Sequence, residues 1–586
     1  MPPDEETMRT VSLPPLLISR SRITTEGNRT GTWRFLRPAY AEGTAPCSAA
    51  CPAGADLPRM AMLAAKGRIR EAVDRMLLEN PFPAVCGRVC FHPCERVCNR
   101  RELDAAVAIH ELERFLGDTA LAESIPPPDS GPAGGRRVAV AGAGPAGLAA
   151  AYFLRILGHD CDVFEADREP GGILRWGIPR YRLPGSVLTA EIGRIVAMGV
   201  RIHCRKPITA DFLDKAGKDY DAIVVGCGLG RSISLKIPGG DLAEDGLGFL
   251  HQLRDGAVRS APTTAAVIGG GNTAIDVARS LVRLGTDVTV IYRRRAEDMP
   301  AFGHEVDAAR AEGVRLETLR SPIRIDPSGD RLSLTLARMR PEIREGDRRA
   351  RVVPDGDRTE NQTVDAVFAA IGAEPAAPWL VPSRTAPGRL DLDRLTLVAG
   401  TVPMVFGGDL TNPVGSVPDA VASGKGAAMA LDTLFEQGPE TIADRLTACR
   451  VGPGPALSME IYRGGERSRR GREVVPADRI NFDAFAPSPR LTALTVAPED
   501  RASRFSEVTR TLDPASARTE AARCFNCGIC TDCDICFRFC PEMAIHRNGS
   551  GDGISGRWIH LDYCKGCGIC VAECPRSAMR LEEESP

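Results

Sequence analysis

No stretch of this sequence approaches the ~20 apolar residues that a membrane-crossing helix requires, which argues against a bilayer span. The opening residues, Met1 to Arg22, lack the apolar core of a secretory signal, so the chain is expected to stay in the cytoplasm. An excess of one charge sign is missing as well. The net charge is -2 with 26% charged residues, so nothing favours DNA, RNA or anionic lipid as a partner.

What the chain does have is length and cysteine. Its 586 residues exceed what one hydrophobic core serves, and the length prior gives roughly three to four domains. Of the 20 cysteines, 16 crowd into two segments, Cys47–Cys98 and Cys524–Cys574. In a long chain without an export signal, such crowding at ligand spacing favours metal over disulfides.

Apolar positions recur at helical spacing over Pro58–Asn80, within a cysteine-rich leader region. Pro and Gly between Ser124 and Gly135 mark a boundary. Two strand, glycine turn and helix units follow, opening at Val138 and Ala266, which is the grammar of a parallel sheet. Beyond Gly438 the periodicity fades, and Val451–Val508 reads as an extended linker. Two cysteine runs of equal internal spacing then close the chain.

The first unit carries Gly142-Ala-Gly144-Pro145-Ala146-Gly147 after a short apolar strand. Gly142 permits the tight turn, Gly144 lets a pyrophosphate approach the backbone, and Gly147 allows close helix–strand packing. The helix N-terminus favours the negative charge. Glu165, after the strand Asp160–Phe164, is placed to accept hydrogen bonds from a ribose. The second unit repeats the geometry with Gly269, Gly270, Gly271, Asn272, Thr273 and Ala274, and Asp276 follows in the first helical turn. Equal spacing puts Tyr292 where the first unit has its acid, and Arg293, Arg294 and Arg295 come next. Arginine pairs with a 2′-phosphate that a carboxylate would repel, so NADP(H) is expected here rather than NAD(H). The plainer alternative is a solvated strand end. Neither unit has a redox CxxC beside it, which argues against a thioredoxin-reductase-like disulfide mechanism.

Two nucleotide folds in series, the first keeping an acid, imply FAD in the first and a pyridine nucleotide in the second. Val405-Phe-Gly407-Gly408-Asp409, with the later Ser416–Ala428, resembles the returning strand and helix of a two-dinucleotide flavoprotein. There the aspartate binds the ribityl or pyrophosphate part of the flavin, which makes Gly408, Asp409, Ser416 and Val417 candidate contacts. An ordinary turn aspartate is the alternative.

The terminal runs are Cys530-x-x-Cys533-x-x-Cys536-x-x-x-Cys540-Pro and Cys564-x-x-Cys567-x-x-Cys570-x-x-x-Cys574-Pro. In this bacterial ferredoxin pattern three close cysteines hold one [4Fe–4S] cluster and the fourth reaches the other. Cys530, Cys533, Cys536 and Cys574 therefore form one expected set, and Cys564, Cys567, Cys570 and Cys540 the second. Structural zinc needs no such doubled, proline-marked run. The N-terminal set is Cys47, Cys51, Cys86, Cys90, Cys94 and Cys98. Pro93 forbids a regular helix through its second half, so these thiolates are expected on turns around a cluster, with zinc or plain buried thiols as alternatives. Cys161, Cys204, Cys227 and Cys449 fit no ligand spacing.

From about Cys47 to Ala430 the chain resembles a known family. Its members include the small subunit of NADPH-dependent glutamate synthase, the flavin half of dihydropyrimidine dehydrogenase and the large subunit of NADH-dependent ferredoxin:NADP oxidoreductase. The motifs are Cys86-Gly-Arg-Val-Cys90, Pro93-Cys94-Glu-Arg-Val-Cys98, Gly171-Gly172-Ile-Leu-Arg-Trp-Gly-Ile-Pro-Arg-Tyr-Arg-Leu-Pro184, Gly269–Asp276 and Tyr292–Pro300. The resemblance implies that Gly171, Gly172, Ile173 and Leu174 lie against FAD. It also implies that Cys51, Cys90 and Cys94 hold a cluster with Glu113 as fourth ligand, leaving Cys86 outside. The relatives draw two more cysteines from an Arg-Cys-x-x-Cys segment upstream of Cys47, and here none precedes it. A matching Arg523-Cys524-Phe-Asn-Cys527 lies near the other end, and it is expected to fold back and complete a cluster with Cys47 and Cys98.

The expected architecture is α/β. A two-dinucleotide-binding flavoprotein with Rossmann-like FAD and NAD(P) domains stands between an N-terminal α-helical Fe–S domain and a C-terminal bacterial ferredoxin-like domain. The segments are 1–130 for leader and helical domain, 131–255 and 375–440 for the FAD domain, 256–374 for NAD(P), 441–520 for the linker and 521–586 for the ferredoxin. FAD, NADP(H) or NAD(H), and about four [4Fe–4S] clusters are the expected cofactors. No catalytic acid or base is required. The fused ferredoxin resembles accessory subunits of 2-oxoacid:acceptor oxidoreductases. The expected role is therefore a pyridine-nucleotide-linked subunit in a hetero-oligomer, whose partner is a redox protein such as a 2-oxoacid oxidoreductase or ferredoxin. The alternatives are a self-sufficient NAD(P)H:ferredoxin oxidoreductase and a non-catalytic scaffold, the latter opposed by the intact glycines and cysteines.

Overall fold

A computed structural model describes residues 29–132, 134–258, 260–342, 351–380, 389–392, 395–398, 402–412, 415–547 and 557–584. The leader up to residue 28 lies outside them. The described residues form two compact units, one from 29–41 with 530–547 and 557–584, and the other from those within 42–529.

In the larger unit, the helical region expected over Pro58–Asn80 is two helices, Leu57–Ala65 and Ile69–Glu79. They are broken at Gly67, which sits at φ +73. Helices Pro83–Val89 and Ile109–Ala122 pack with their backbones almost touching. A Cβ on Gly87 would lie 2.4 Å from Arg114 backbone atoms, and one on Gly117 2.3 Å from Ala84 N. Two glycines thus bring the segment that carries Cys90 against the helix that carries Glu113.

The first α/β domain has a seven-stranded sheet in the order 389–392, 395–398, 404–406, 222–225, 137–141, 160–164, 201–203. From Met404–Phe406 to Arg201–His203 its pairs are parallel. Val138–Ala141 and Ala222–Val225 are buried along their whole length, as strands covered on both faces must be. Helix Val417–Gln437 crosses helix Pro145–Ile156 at Gly424, where a Cβ would meet Ala146 O at 2.3 Å. The second domain has a five-stranded parallel sheet in the order 315–318, 287–292, 264–268, 366–369, 244–245. Antiparallel strands Arg320–Ser328, Arg331–Glu342 and Arg351–Val364 lie beside it. Strand Glu244–Asp245 pairs with Ala366–Ala369, and Phe249 of the next helix packs on Phe368, so both belong here and not to the FAD segment ending at 255.

Residues 441–520, expected as an extended linker, are largely irregular in secondary structure but are anchored to the rest of the unit at several points. Ile442, Leu446, Met459 and Tyr462 join the core of the first α/β domain. Val475, Ile480 and Leu512 join the core of the helical region. Polar contacts fix the rest. Glu507 accepts from Arg88 at 2.7 Å and from Arg114 at 2.9 Å, Val508 N donates to Tyr181 O at 3.1 Å, and Arg283 Nε donates to Arg504 O at 2.9 Å. One strand of chain therefore touches the helical, FAD-type and NAD-type regions in succession.

The smaller unit corrects the boundary placed at 130. Strand Leu36–Tyr40 pairs antiparallel with Met579–Glu583, so the described part of the leader belongs to the cysteine-rich C-terminal fold and not to the helical region. Arg34 locks this seam, donating to Leu561 O at 2.5 Å and Cys564 O at 2.8 Å and pairing with Glu584.

A buried ionic cluster joins the two α/β domains. Arg182, in the Gly171–Pro184 motif, meets Asp276 at 2.7 Å and Glu305 at 2.8 Å. Arg279 pairs with Glu305 and, at 2.6 Å, with Glu312, which also meets Arg283 at 2.7 Å. Removing one member of a buried pair leaves an uncompensated charge and costs about 3–5 kcal/mol. Arg182→Ala should therefore lower the chain's thermal unfolding midpoint by several degrees in a calorimetric scan. An unchanged scan would show the contact to be energetically idle.

Candidate redox-cofactor site

The first glycine turn is built as its spacing requires. Gly142 sits at φ +95 against Gly226 O, and a Cβ on Gly147 would lie 1.9 Å from Gly142 O. Gly144 differs: its Cβ position is open except for Gly172 Cα at 4.0 Å. Gly172, at φ +48, faces Gly144 in turn, and Gly408, at φ +68, comes in beside Ala146. These bare glycines, with Pro145 and Ala146 opening the helix, form a side-chain-free cradle at a helix N-terminus, which fits a pyrophosphate. Gly171, Ile173 and Leu174 flank it, Ile173 facing outward and Leu174 buried. Glu165 accepts from Ala143 N at 2.8 Å and Asp167 N at 3.0 Å, so its carboxylate braces the turn as well as standing at the strand end. Asp409 is half-buried, and burial, then the nearby Asp419, push its carboxyl up. Ser416 caps helix Val417–Gln437 by accepting from Asp419 N.

In the second turn Gly269 sits at φ +150 and Gly271 has open space where a Cβ would be. Gly270 lies under the Tyr292 ring, 2.4 Å from a would-be Cβ. Tyr292 is buried and donates to Asp298 O at 2.9 Å, so an aromatic face occupies the place of the acid. Asn272 Oδ1 accepts from Phe302 N at 2.9 Å, Thr273 follows, and Ala274 is fully buried. Arg295 is spent on Asp298 at 2.8 Å and Glu297 at 3.1 Å. Arg293 is exposed with no ion pair among the described residues, and Arg294 is half-buried with its Nε unpartnered. Asp276, counted with the cofactor contacts from sequence, instead turns to the interdomain cluster, where Arg182 Nη1 donates to both its oxygens at 2.7 and 2.9 Å.

The cysteines gather in four groups. Burial, then the fields of Cys98, Cys524 and Cys527, push the Cys47 thiol up. Burial and neighbouring Cys524 raise Cys527 to about 12. These four sulfurs line one small cavity, so Cys524 and Cys527 do fold back onto Cys47 and Cys98. In the second group, burial and Glu113 raise Cys51 to about 11 and lift Cys90 as well, while Cys94 rises through burial, Cys51 and Cys90. Burial pushes the Glu113 carboxyl up to about 7. In the smaller unit, Cys530 and Cys536 lie near Cys574, and Cys536 near Cys533. Cys540, Cys564, Cys567 and Cys570 line a further cavity. Both groups have the crossed composition expected from their spacing.

Buried thiols in mutual proximity would be protonated, and only a multivalent cationic partner makes thiolates stable in such positions. Backbone donors already point at the sulfurs: His92 N to Cys90 at 3.4 Å, Asn526 N to Cys524 at 3.4 Å, and Ala544 N and Ala578 N to Cys540 and Cys574, each at 3.3 Å. The last two occupy equivalent places in the two repeats. Sulfur-rich sets with N–H···S donors fit iron–sulfur clusters. Tyr40 OH lies 3.4 Å from Cys536 Sγ and Asn99 Nδ2 donates to Cys527 Sγ at 3.4 Å. Neither carried a signal in sequence, because each meets its sulfur across hundreds of residues. Cys86 stands beside the second group, its Sγ 3.9 Å from Asn80 Oδ1. Cys161 and Cys449 are buried apart from all four groups, Cys204 is half-buried, and Cys227 lies exposed just past strand Ala222–Val225 with its Sγ 3.4 Å from Ala141 O.

Family models match three stretches of the chain. They are pyridine nucleotide-disulphide oxidoreductase over residues 136–424, dihydropyrimidine dehydrogenase domain II with its 4Fe-4S cluster over 40–125, and a 4Fe-4S binding domain over 557–580. The chain is 34% identical over 525 residues to the NADP(+)-dependent formate dehydrogenase subunit beta of Moorella thermoacetica, covering 83% of this chain and 70% of that protein. It is 32% identical to the NADPH-Fe(3+) oxidoreductase subunit beta of Geobacter sulfurreducens, covering 83% and 75%. To the glutamate synthase [NADPH] small chain of Escherichia coli it is 34% identical, covering 66% and 88%.

The fit of Tyr292 over Gly270 carries a prediction for the second turn. Gly270→Ala must displace the ring, and dinucleotide affinity should fall by about tenfold, or ~1.4 kcal/mol, in a nucleotide titration, with bound flavin unchanged. Unaltered affinity would remove Tyr292 from the nucleotide site.

Proposed function

The chain belongs to the family that joins glutamate synthase small chains to the iron–sulfur flavoprotein half of dihydropyrimidine dehydrogenase, and we propose that it exchanges electrons between NADP(H) and a partner polypeptide. FAD, NADP(H) and [4Fe–4S] clusters are its cofactors. When bound, the flavin converts a two-electron hydride exchange into the single-electron steps that iron–sulfur clusters carry. The rest of the work belongs to the protein. Gly142, Gly144, Gly147, Gly172 and Gly408 bare the backbone for the FAD pyrophosphate, and Asp409 with the capped start of helix Val417–Gln437 orients its remainder. Gly269, Gly271 and Asn272 receive the pyridine nucleotide, and Arg293 with Arg294 receives its 2′-phosphate. The Arg182 cluster sets one nucleotide domain against the other.

Cys47, Cys98, Cys524 and Cys527 hold one cluster, and Cys51, Cys90, Cys94 and Glu113 a second. The two crossed sets of the smaller unit hold the third and fourth. The meeting of Cys47 and Cys98 with Cys524 and Cys527 in one buried site is the chief support for this reading, since four thiols from chain positions so far apart form a complete ligand set for a cluster.

The subunit role is supported by the relatives, of which two are named as beta subunits and one as a small chain. A hetero-oligomer is the form we assign, with a 2-oxoacid oxidoreductase or ferredoxin as the class of partner. A self-sufficient NAD(P)H:ferredoxin oxidoreductase is the second reading, favoured by the terminal ferredoxin sequence; purification as a single polypeptide with full turnover would establish it. Among the described residues no helix is long and apolar enough to cross a membrane, and none of the 20 cysteines is in a disulfide. The cytoplasm is the place we assign.

Two tests follow. Cys524→Ala should lose about four of ~16 iron atoms per chain, and an undiminished iron content would refute the shared site. NADPH should be oxidised in preference to NADH, and Arg293→Ala should cut that preference by about tenfold through loss of a charge-assisted contact. A wild-type preference for NADH would overturn the assignment.

A further inference from the structure

Glu113 sits on a helix held tightly in place, yet its carboxylate is steered by a single neighbour. We propose that Asn80 is a positioning residue, whose carboxamide holds Glu113 in the orientation of a ligand to the cluster of Cys51, Cys90 and Cys94. The inference rests on the reading of those four residues as a cluster site, and goes beyond it by assigning what makes the carboxylate a ligand.

Asn80 ends helix Ile69–Glu79 in an extended conformation, with its own N–H bonded to Met76 O at 2.8 Å, and it is 1% exposed. Its side chain has one defined orientation. Phe82 N–H can only donate, and it lies 2.9 Å from one terminal atom of the Asn80 amide, which must therefore be the oxygen. The Cys86 thiol approaches the same oxygen at 3.9 Å. The amide nitrogen is consequently turned to Glu113, donating to Oε1 at 2.8 Å. Among the described residues this is the sole hydrogen bond of the Glu113 side chain, so Oε2 is left for another partner.

The surrounding backbone cannot do the same task. Gly87 and Gly117 fix helix Ile109–Ala122 against helix Pro83–Val89, and Glu191 caps the latter through Ala84 N at 2.9 Å and Val85 N at 3.1 Å. These contacts set where the Cα atoms of Cys90 and Glu113 stand. They leave the three side-chain torsions of a glutamate undetermined, and a metal ligand needs them determined. Asn80 supplies that restraint.

It also tunes charge. A donor on the distal oxygen withdraws electron density from a ligating carboxylate and favours the reduced, more negative state of a cluster. Loss of the donor should lower the potential of this cluster alone.

The test uses the full chain, prepared anaerobically, with each cluster followed by electron paramagnetic resonance during potentiometric titration, and flavin content as a check on folding. Asn80→Asp keeps size and the acceptor for Phe82 N but sets like charges face to face. It should alter the signal of one cluster and lower its midpoint, with the other clusters and the flavin content unmoved. Adding Glu113→Gln to Asn80→Asp restores a hydrogen bond of reversed polarity between the same two positions, and should return one sharply defined cluster signal with its midpoint raised by the loss of the ligand's charge, which a merely structural asparagine would not do. Glu113→Ala alone distinguishes loss of the ligand from loss of its orientation. If it leaves every signal unchanged, the cluster assignment itself fails. If it changes one signal while Asn80→Asp and Asn80→Ala, both fully flavinylated, change none, the cluster stands and the role of Asn80 is overturned.

Discussion

Everything in the larger unit depends on bringing the Cys524–Cys527 turn back onto the helical region at the start of the chain. Closing so long a loop costs conformational entropy, though the cost grows only slowly with length. Buried charge-assisted bonds meet it. Arg523 pairs with Glu520 at 2.6 Å and Asp104 at 3.0 Å and donates to Ala105 O at 2.7 Å, while Arg100 pairs with Asp104 at 2.6 Å and donates to Arg523 O at 3.0 Å. Glu520 accepts from Ala108 N at 2.8 Å. Arg100, Arg523 and Glu520 are buried and each has several partners, as ionic groups out of contact with water require, while Asp104 closes the knot at the surface.

A second buried pair holds the helical region to the FAD-type domain. Lys425, on helix Val417–Gln437, meets Glu79 at 2.6 Å and donates to Ala53 O and Leu457 O. Glu79 in turn accepts from Met459 N at 2.9 Å and Glu460 N at 3.2 Å. Segment 441–520 is thus a brace between neighbours. Together with the Arg182 cluster it ties the helical region, the flavin cradle and the nucleotide turn into one unit.

The parts legible in the sequence were those whose physics is local. Glycine turns announce themselves because Gly142, Gly147 and Gly269 have no room for a side chain, and the ferredoxin cysteines because ligand spacing is short. The return of Cys524 and Cys527 was legible only through the Arg-Cys-x-x-Cys segment displaced to the other end of the chain. What escaped was non-local. Segment 441–520 satisfies its backbone through distant side chains and leaves no periodicity to read. Strand Leu36–Tyr40 has no meaning until Met579–Glu583 is beside it. Asp276 stood at a cofactor-like offset, and only the arrival of Arg182 from another domain gave it a different task.

Thiolates drawn from both ends of the chain are assigned to inorganic iron–sulfide, in a protein that holds one flavin. Iron, acid-labile sulfide and flavin per chain, determined on anaerobically prepared protein, test this assignment most directly. The expected result is ~16 iron, ~16 sulfide and one FAD. Zinc in place of iron, or iron without matching sulfide, would contradict it.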